Sequence, residues 1–306
     1  MCNKVAVVKA DEKKLNKCLE EAINLVGGFK PRDNAKIVIK PNLCSQKPPE
    51  DGVTTDVRIV AAIIDYIKRK NSNSEISIVE SNTDRSPDAT FKKLGYDELT
   101  EKYDNTHLCN LSRDSTVRVH VPNAKVLKNI KIPKTLLSMD NFVSVAKMKR
   151  HGFERFSGVW KNQYGLIPSR PLRIRLHPFV SEVSFDLNSM FYPDLSVMDG
   201  IMALEGVGPL TGKPKRMNLI VCSNNPLSAD IITARIMGEN PQRVPHIKYA
   251  LTHGFKDAKN LVLMNETDAI SGSDRFEFIK EIDYLRVRRL LFLRKFRLAW
   301  VPLVGG

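Results

Sequence analysis

Short apolar runs and longer amphipathic stretches alternate along the first eighty residues. Lys4–Val8 reads as a buried strand, and Asp11–Val26 has helical character ended by Gly27 and Gly28. Ala35–Lys40 is a second strand, stopped by Pro41. Asp56–Lys70 then carries Val57, Val60, Ala61, Ile64 and Ile67 at helical spacing, and Glu75–Val79 is a third strand. This order predicts βαβ crossovers and a parallel sheet. From Asn105 to Ile132 the pattern turns β-like, with alternation at Val117, Val119 and Val121. A second α/β half begins near Asn141. Phe142–Ala146 is its first strand, and Pro178–Met190 has helix character. Leu195–Met198 reads as a strand ending at Asp199-Gly200, followed by a Gly-rich loop through Glu205, Gly206, Gly208, Pro209, Thr211 and Gly212. Met217–Cys222 is the next strand, and Asn225-Pro226 opens a helix over Leu227–Met237.

The fold class is therefore α/β: a mixed, mainly parallel sheet with flanking helices, a β-rich excursion near 105–132 and a basic, apolar C-terminal helix. No linker divides residues 1–270, which we read as one domain in two halves, about 1–140 and 141–270, with a tail over 271–306. The 42% apolar and 27% charged composition of the 306 residues excludes disorder.

Charge narrows the choice of partner. The formal net charge of +14 favours anionic molecules. Between Lys147 and His177 eight Lys and Arg face the single Glu154, and from Arg275 onward eight face three carboxylates. The five cysteines, Cys2, Cys18, Cys44, Cys109 and Cys222, show no C-x-x-C spacing, which suits a reducing cytosol. No apolar stretch approaches a membrane span. The expected location is cytoplasmic, with at most a peripheral contact at the inner face of a membrane.

Polar residues following apolar strands are the candidates for chemistry, because ligands of open α/β sheets sit beyond the carboxyl ends of the strands. They are Lys40 and Asn42, Glu80 and Asn82, Lys147 and Lys149, Asp199, and Asn224 with Asn225. Lys147, Lys149 and His151 alternate and so share one face of an extended segment. Ser157-Gly158 precede a helix start whose N–H groups would favour an anion. Lysines would supply charge and His151 a proton near neutral pH. Asp199 and Glu205, joined by Glu80 or Asp56, are candidates for a divalent cation or for acid/base work. On this reading Lys147 and Lys149 matter for binding and hardly at all for stability. A single-stranded nucleic-acid groove is disfavoured, for no nucleic-acid-binding motif is present. GxGxxG, Walker, H-E-x-x-H and G-x-S-x-G patterns are also missing.

Taken together, IKPNL (Ile39–Leu43), DGVTTD (Asp51–Asp56), VES (Val79–Ser81), AKMKRHGF with SGVWKNQYG, DGIMALEGVGPLTG (Asp199–Gly212) and NPLSAD (Asn225–Asp230) resemble the domain-of-unknown-function family numbered 362. The resemblance runs from about Lys36 to Gly254. It carries over Lys40, Asn42, Thr54, Thr55, Asp56, Glu80, Lys147, Lys149, His151, Lys161, Asn162, Asp199, Glu205 and Asp230 as family-like polar positions without assigning them roles. Many longer relatives append C-x-x-C-x-x-C clusters that hold iron–sulfur centres. This sequence has none, so an iron–sulfur cluster is not expected, while a divalent cation is open.

The leading expectation is an enzyme that binds a phosphate- or carboxylate-bearing small molecule and does acid/base or transfer chemistry. His151, Asp199 and Glu205 would be catalytic, and Lys40, Asn42, Thr54, Thr55, Glu80, Lys147, Lys149, Lys161 and Asn162 would bind ligand. The competing expectation is a binding or assembly protein that attaches to an acidic membrane surface or a partner through Glu281–Gly306, or that pairs as a homodimer. Arginines in that tail do not gather on one helical side, although Leu290, Phe292, Phe296 and Trp300 lie among them.

Overall fold

The computed structural model describes residues 2–83, 85–265 and Tyr284. The strands are β1 (Asn3–Lys9), β2 (Lys36–Lys40), β3 (Glu75–Glu80), β4 (Thr106–Asn110), β5 (Thr116–His120), β6 (Asn129–Pro133), β7 (Asn141–His151), β8 (Arg155–Phe156), β9 (Leu195–Glu205), β10 (Lys213–Ser223) and β11 (Leu261–Leu263). The main sheet runs β11-β1-β10-β9-β7-β2-β3-β4, with β8 folded back on the end of β7. Every pairing along that path is parallel except the two made by β10, which lies antiparallel to β9 and to β1.

The mainly parallel sheet with flanking helices agrees with the expectation, and both halves of the chain contribute to it. Two boundaries differ. The excursion is narrower than 105–132: Thr106–Asn110 is the edge strand of the main sheet, and only β5 and β6 pair separately. The expected loop from Asp199 to Glu205 is strand. Leu195–Glu205 is a continuous β9 that pairs with β10 as far as the pair Glu205 and Lys213. The expected C-terminal helix over 271–306 lies outside the described residues apart from Tyr284.

Alternation along the strands divides the core between two faces. Ile37, Ile39, Val143, Val145, Val197 and Ile220 pack under the helices Leu15–Leu25 and Val57–Lys70. The second of these is capped by Asp56, which accepts from Arg58 N, and buries Ile59, Val60, Ile63, Ile64 and Ile67. On the opposite face Val5, Ala146, Met148, Met198 and Val221 meet Trp160 and the helix Pro226–Ile236. Val38, Val79 and Phe142 meet the helix Val180–Met190 on that same side.

From β2 the chain winds outward through β3 to β4. From β7 it winds the other way, to β9. The strand order therefore reverses between β2 and β7, the kind of switch point at whose carboxyl ends ligands of open α/β sheets bind.

Candidate functional site

Lys40 ends β2, Glu80 ends β3, and Lys147 and Lys149 lie near the end of β7. Their position follows from apolar runs that carry each strand through the core and place its first polar residues at this edge. Lys40 Nζ donates to Glu80 at 3.0 and 3.1 Å and to Pro41 O at 2.9 Å. Gly165 makes room for this pair, since a Cβ there would lie 2.7 Å from Lys40 Cε. Burial pulls the Lys40 ammonium below its ordinary range against the opposing pull of Glu80.

Lys147 Nζ donates to Asp199 Oδ2 at 2.8 Å, with both side chains shut off from solvent. The same oxygen accepts from Asp56 N at 2.8 Å, and Oδ1 accepts from Ile201 N at 3.1 Å. Lys149 Nζ donates to Asn42 Oδ1 at 2.8 Å and Val53 O at 2.7 Å, and lies 3.0 Å from Cys44 Sγ. Asn42 Nδ2 donates to Asn162 Oδ1, and Asn162 Nδ2 donates to Lys40 O and Ser144 Oγ. Thr55 Oγ1 accepts from Asn42 N and donates to Val145 O, while Thr54 Oγ1 donates to Lys47 O. A buried polar layer thus ties the segment 42–56 to β7.

This wiring changes the roles expected of several residues. Lys40, Lys147, Lys149, Asn42, Thr54, Thr55, Glu80 and Asn162 come together, and their hydrogen bonds go to one another and to the backbone. They hold the wall of the site. Asp199 is fully buried and accepts from three donors, Lys147 Nζ, Asp56 N and Ile201 N. Glu205 closes β9, whose register against β7 shifts so that Asp199 stands opposite Lys147 and Leu204 opposite Lys149. Glu205 sits 3.5 Å from Lys215 across the β9–β10 ribbon, whereas Asp199 is paired with Lys147. Asp56 is engaged by Arg58 and Glu80 by Lys40, and among the described residues no three His, Cys, Asp or Glu come together to hold a metal ion.

The helix start after Ser157 does receive an anion, and the anion is internal. Asp230 Oδ1 accepts from Val159 N at 2.6 Å and Oδ2 from Trp160 N at 2.9 Å. Gly158, at φ +72°, is required there, because a Cβ would fall 2.4 Å from the Asp230 carboxylate. The loop Gly206–Gly212 forms the turn of the β9–β10 hairpin. Gly208 N donates to Thr211 O at 2.7 Å, and the Gly208 backbone sits against Arg150 O too closely for any side chain.

Two expected residues remain available. His151 Nδ1 accepts from Phe153 N and Glu154 N, both at 3.2 Å, which places the proton of the neutral ring on Nε2. Its ring stacks on His177 with centroids 6.1 Å apart. Burial first, then the charges of Lys161, His177 and Lys149, hold His151 well below the ordinary histidine range, so it is neutral at pH 7. Lys161 is half-buried, and its ammonium makes no hydrogen bond or ion pair among the described residues. Burial, together with the repulsion of Lys149 and Lys40 and against the pull of Glu154, lowers its ammonium to about 8. Cys44 joins this group through Lys149, a role that no spacing in the sequence signals.

A buried triad supports the loop behind the site. His246 Nδ1 lies 3.0 Å from Glu154 Oε2, and its Nε2 lies 3.5 Å from Asp230 Oδ2, an ion-pair contact too long for a good hydrogen bond. Ser181 Oγ also donates to Glu154. Glu154 and His246 escape a reading of the sequence because the 92 residues between them share no motif.

The fold defines an α/β protein with a mainly parallel sheet, and the candidate residues cluster near its topological switch point. The family model described as a domain of unknown function, DUF362, matches residues 37–235, and the chain belongs to that family. A thylakoid-associated protein of Synechocystis is 23% identical over 235 residues, covering 74% of this chain and 70% of the relative. The lactate racemase apoprotein of Thermoanaerobacterium thermosaccharolyticum aligns with a TM-score of 0.39 and 15% identity over 63% of this chain, which spans about half (49%) of that one. No helix among the described residues is long and apolar enough to cross a membrane.

Proposed function

We propose that the protein is an enzyme that binds a carboxylate- or phosphate-bearing small molecule at the switch point, with Lys161 as its anion- and proton-binding group and neutral His151 as the second proton carrier. The observation that carries this reading is the half-buried Lys161 ammonium, which alone of the lysines in this cluster has no partner among the described residues. Lys40, Lys147 and Lys149 are anchored by carboxylates, carbonyls and amides. They add positive potential without competing for the ligand. An ammonium with a pKa of about 8 is mostly charged at pH 7 and still able to release its proton, the condition general acid/base catalysis needs.

A thermal-shift screen of phosphorylated and carboxylated metabolites, followed by calorimetry, tests it. Lys161→Met should weaken binding of a hit by about tenfold or more, the scale of one charge-assisted hydrogen bond, and leave the melting temperature of free protein within a degree or two. Affinity of the native protein should fall as pH rises through about 8. Unchanged affinity in the variant refutes the assignment.

A second reading has its own support in the thylakoid-associated relative and in the basic, Leu- and Phe-rich composition of Glu281–Gly306. We propose attachment to an acidic membrane surface through that tail. Removal of Leu285–Gly306 should abolish sedimentation with anionic liposomes and preserve cooperative melting. Liposome binding that survives the truncation, or its absence in the intact chain, defeats it.

A further inference from the structure

A cavity of about 1080 Å³ opens between the β5–β6 hairpin and the helix Arg170–Leu176, and none of the lysine-cluster residues lines it. Its walls carry Arg118, Lys125, Lys128, Lys131 and Arg175 against one carboxylate, Asp114, which already accepts from Thr135 N at 3.0 Å. Arg118 and Lys131 stand directly opposite each other in the antiparallel pairing. Cross-strand partners leave the same face of a hairpin, where two like charges repel. The other face explains why the hairpin holds regardless: Ile130 and Ile132 are buried in the core, with Val119 packed against them.

Nothing in the described protein neutralises this face. None of the five cations makes an ion pair among the described residues. Arg175 Nε is shielded from solvent and has no hydrogen-bond partner, which leaves a buried donor unmet. Val126, Pro171 and Leu172 complete the lining with apolar surface. Several cations spread over a cavity at the upper end of the small-ligand range, two of them guanidiniums suited to bidentate phosphate contacts, match an anion carrying more than one phosphate.

We propose that this cavity binds a multiply phosphorylated small molecule, its phosphates lying between Arg118, Lys128, Lys131 and Arg175 and its organic portion on Val126 and Leu172. The occupant would relieve the Arg118–Lys131 repulsion and satisfy Arg175 Nε at once.

Calorimetry on the full chain with inorganic triphosphate and with adenosine triphosphate tests it, beside flotation with phosphoinositide vesicles. Saturable binding of a soluble polyphosphate is expected, weakened at least tenfold in the double variant Arg118→Ala/Lys131→Ala. Lys128→Glu, at an exposed position, should weaken binding likewise and provides the reading should the double variant misfold. Without ligand, the double variant should melt no lower than the native chain. The proposal falls if neither soluble compound saturates, if only vesicles bind, if the hairpin variants bind as tightly as the native chain, or if only Lys161→Met loses affinity.

Discussion

Lys147 shows how far a single residue can be read in advance. Its place after an apolar run puts it toward the carboxyl end of a strand, and it lies in the second half of β7. Its partner, Asp199, is 52 residues away and joins it only through the parallel register of β7 and β9. An unpaired lysine facing a ligand and a lysine welded to a carboxylate look the same in one dimension, since the difference lies in what the fold brings opposite. The same holds for Lys149 with Asn42 and Lys40 with Glu80. Lys161, on the helix Gly158–Asn162, makes none of these contacts. The consequence for Lys147 is opposite to what position alone suggests. Lys147→Met strands a fully buried carboxylate and should cost about 3–5 kcal/mol of stability, read as a shifted midpoint in urea unfolding. A loss below about 1 kcal/mol would show that the pair contributes little to stability.

At the scale of elements, parallel strands and their crossover helices were legible, because unbroken apolar runs and helical spacing each leave a distinct period. The β9–β10 ribbon was not. Gly200, Gly206, Gly208 and Gly212 suggest loop, yet Gly200 is needed inside the strand, where a Cβ would lie 2.8 Å from Met148 Cε and 2.9 Å from Leu219 O. The helix Pro226–Ile236 is buried almost throughout and so lacks the amphipathic rhythm by which helices are usually found. It is joined to the site loop by the Glu154–His246–Asp230 triad, and this junction should respond to pH. Burial alone would lower His246, but the two carboxylates outweigh it and hold its pKa above the ordinary 6.5. The stability from its charged form is fully present below 6.5 and lost as pH rises through the raised value. His151, with its pKa depressed, runs the other way and costs stability as pH falls below 6.5. His246→Gln should therefore flatten the alkaline limb of a stability–pH profile from urea unfolding and leave the acidic limb in place. An unaltered alkaline limb would assign that loss to other groups.

At the scale of the whole molecule, the sequence showed basic excess in two stretches, 147–177 and 275 onward, but not the basic face of the β5–β6 hairpin. The excess between Lys147 and His177 is in large part internal wiring, whereas Arg118, Lys128 and Lys131 of the hairpin, scattered in the sequence, come together only in the fold. The sheet adds a long-range dependence of its own. β1 lies between β10 and β11, so residues 3–9 are hydrogen-bonded to 219–223 on one side and 261–263 on the other. Deletion of Met1–Ala10 should leave β10 with an unpaired inner edge and abolish cooperative melting. Melting like the native chain's would show that β11 closes the gap. During synthesis the same arrangement acts as a timer. About two hundred residues separate β1 from β10, so at ordinary elongation rates the Val-rich first strand waits roughly 10 to 40 s for its first partner. Until then its unpaired edge is open to a neighbouring nascent chain, and crowded polysomes are where this fold is most exposed to error.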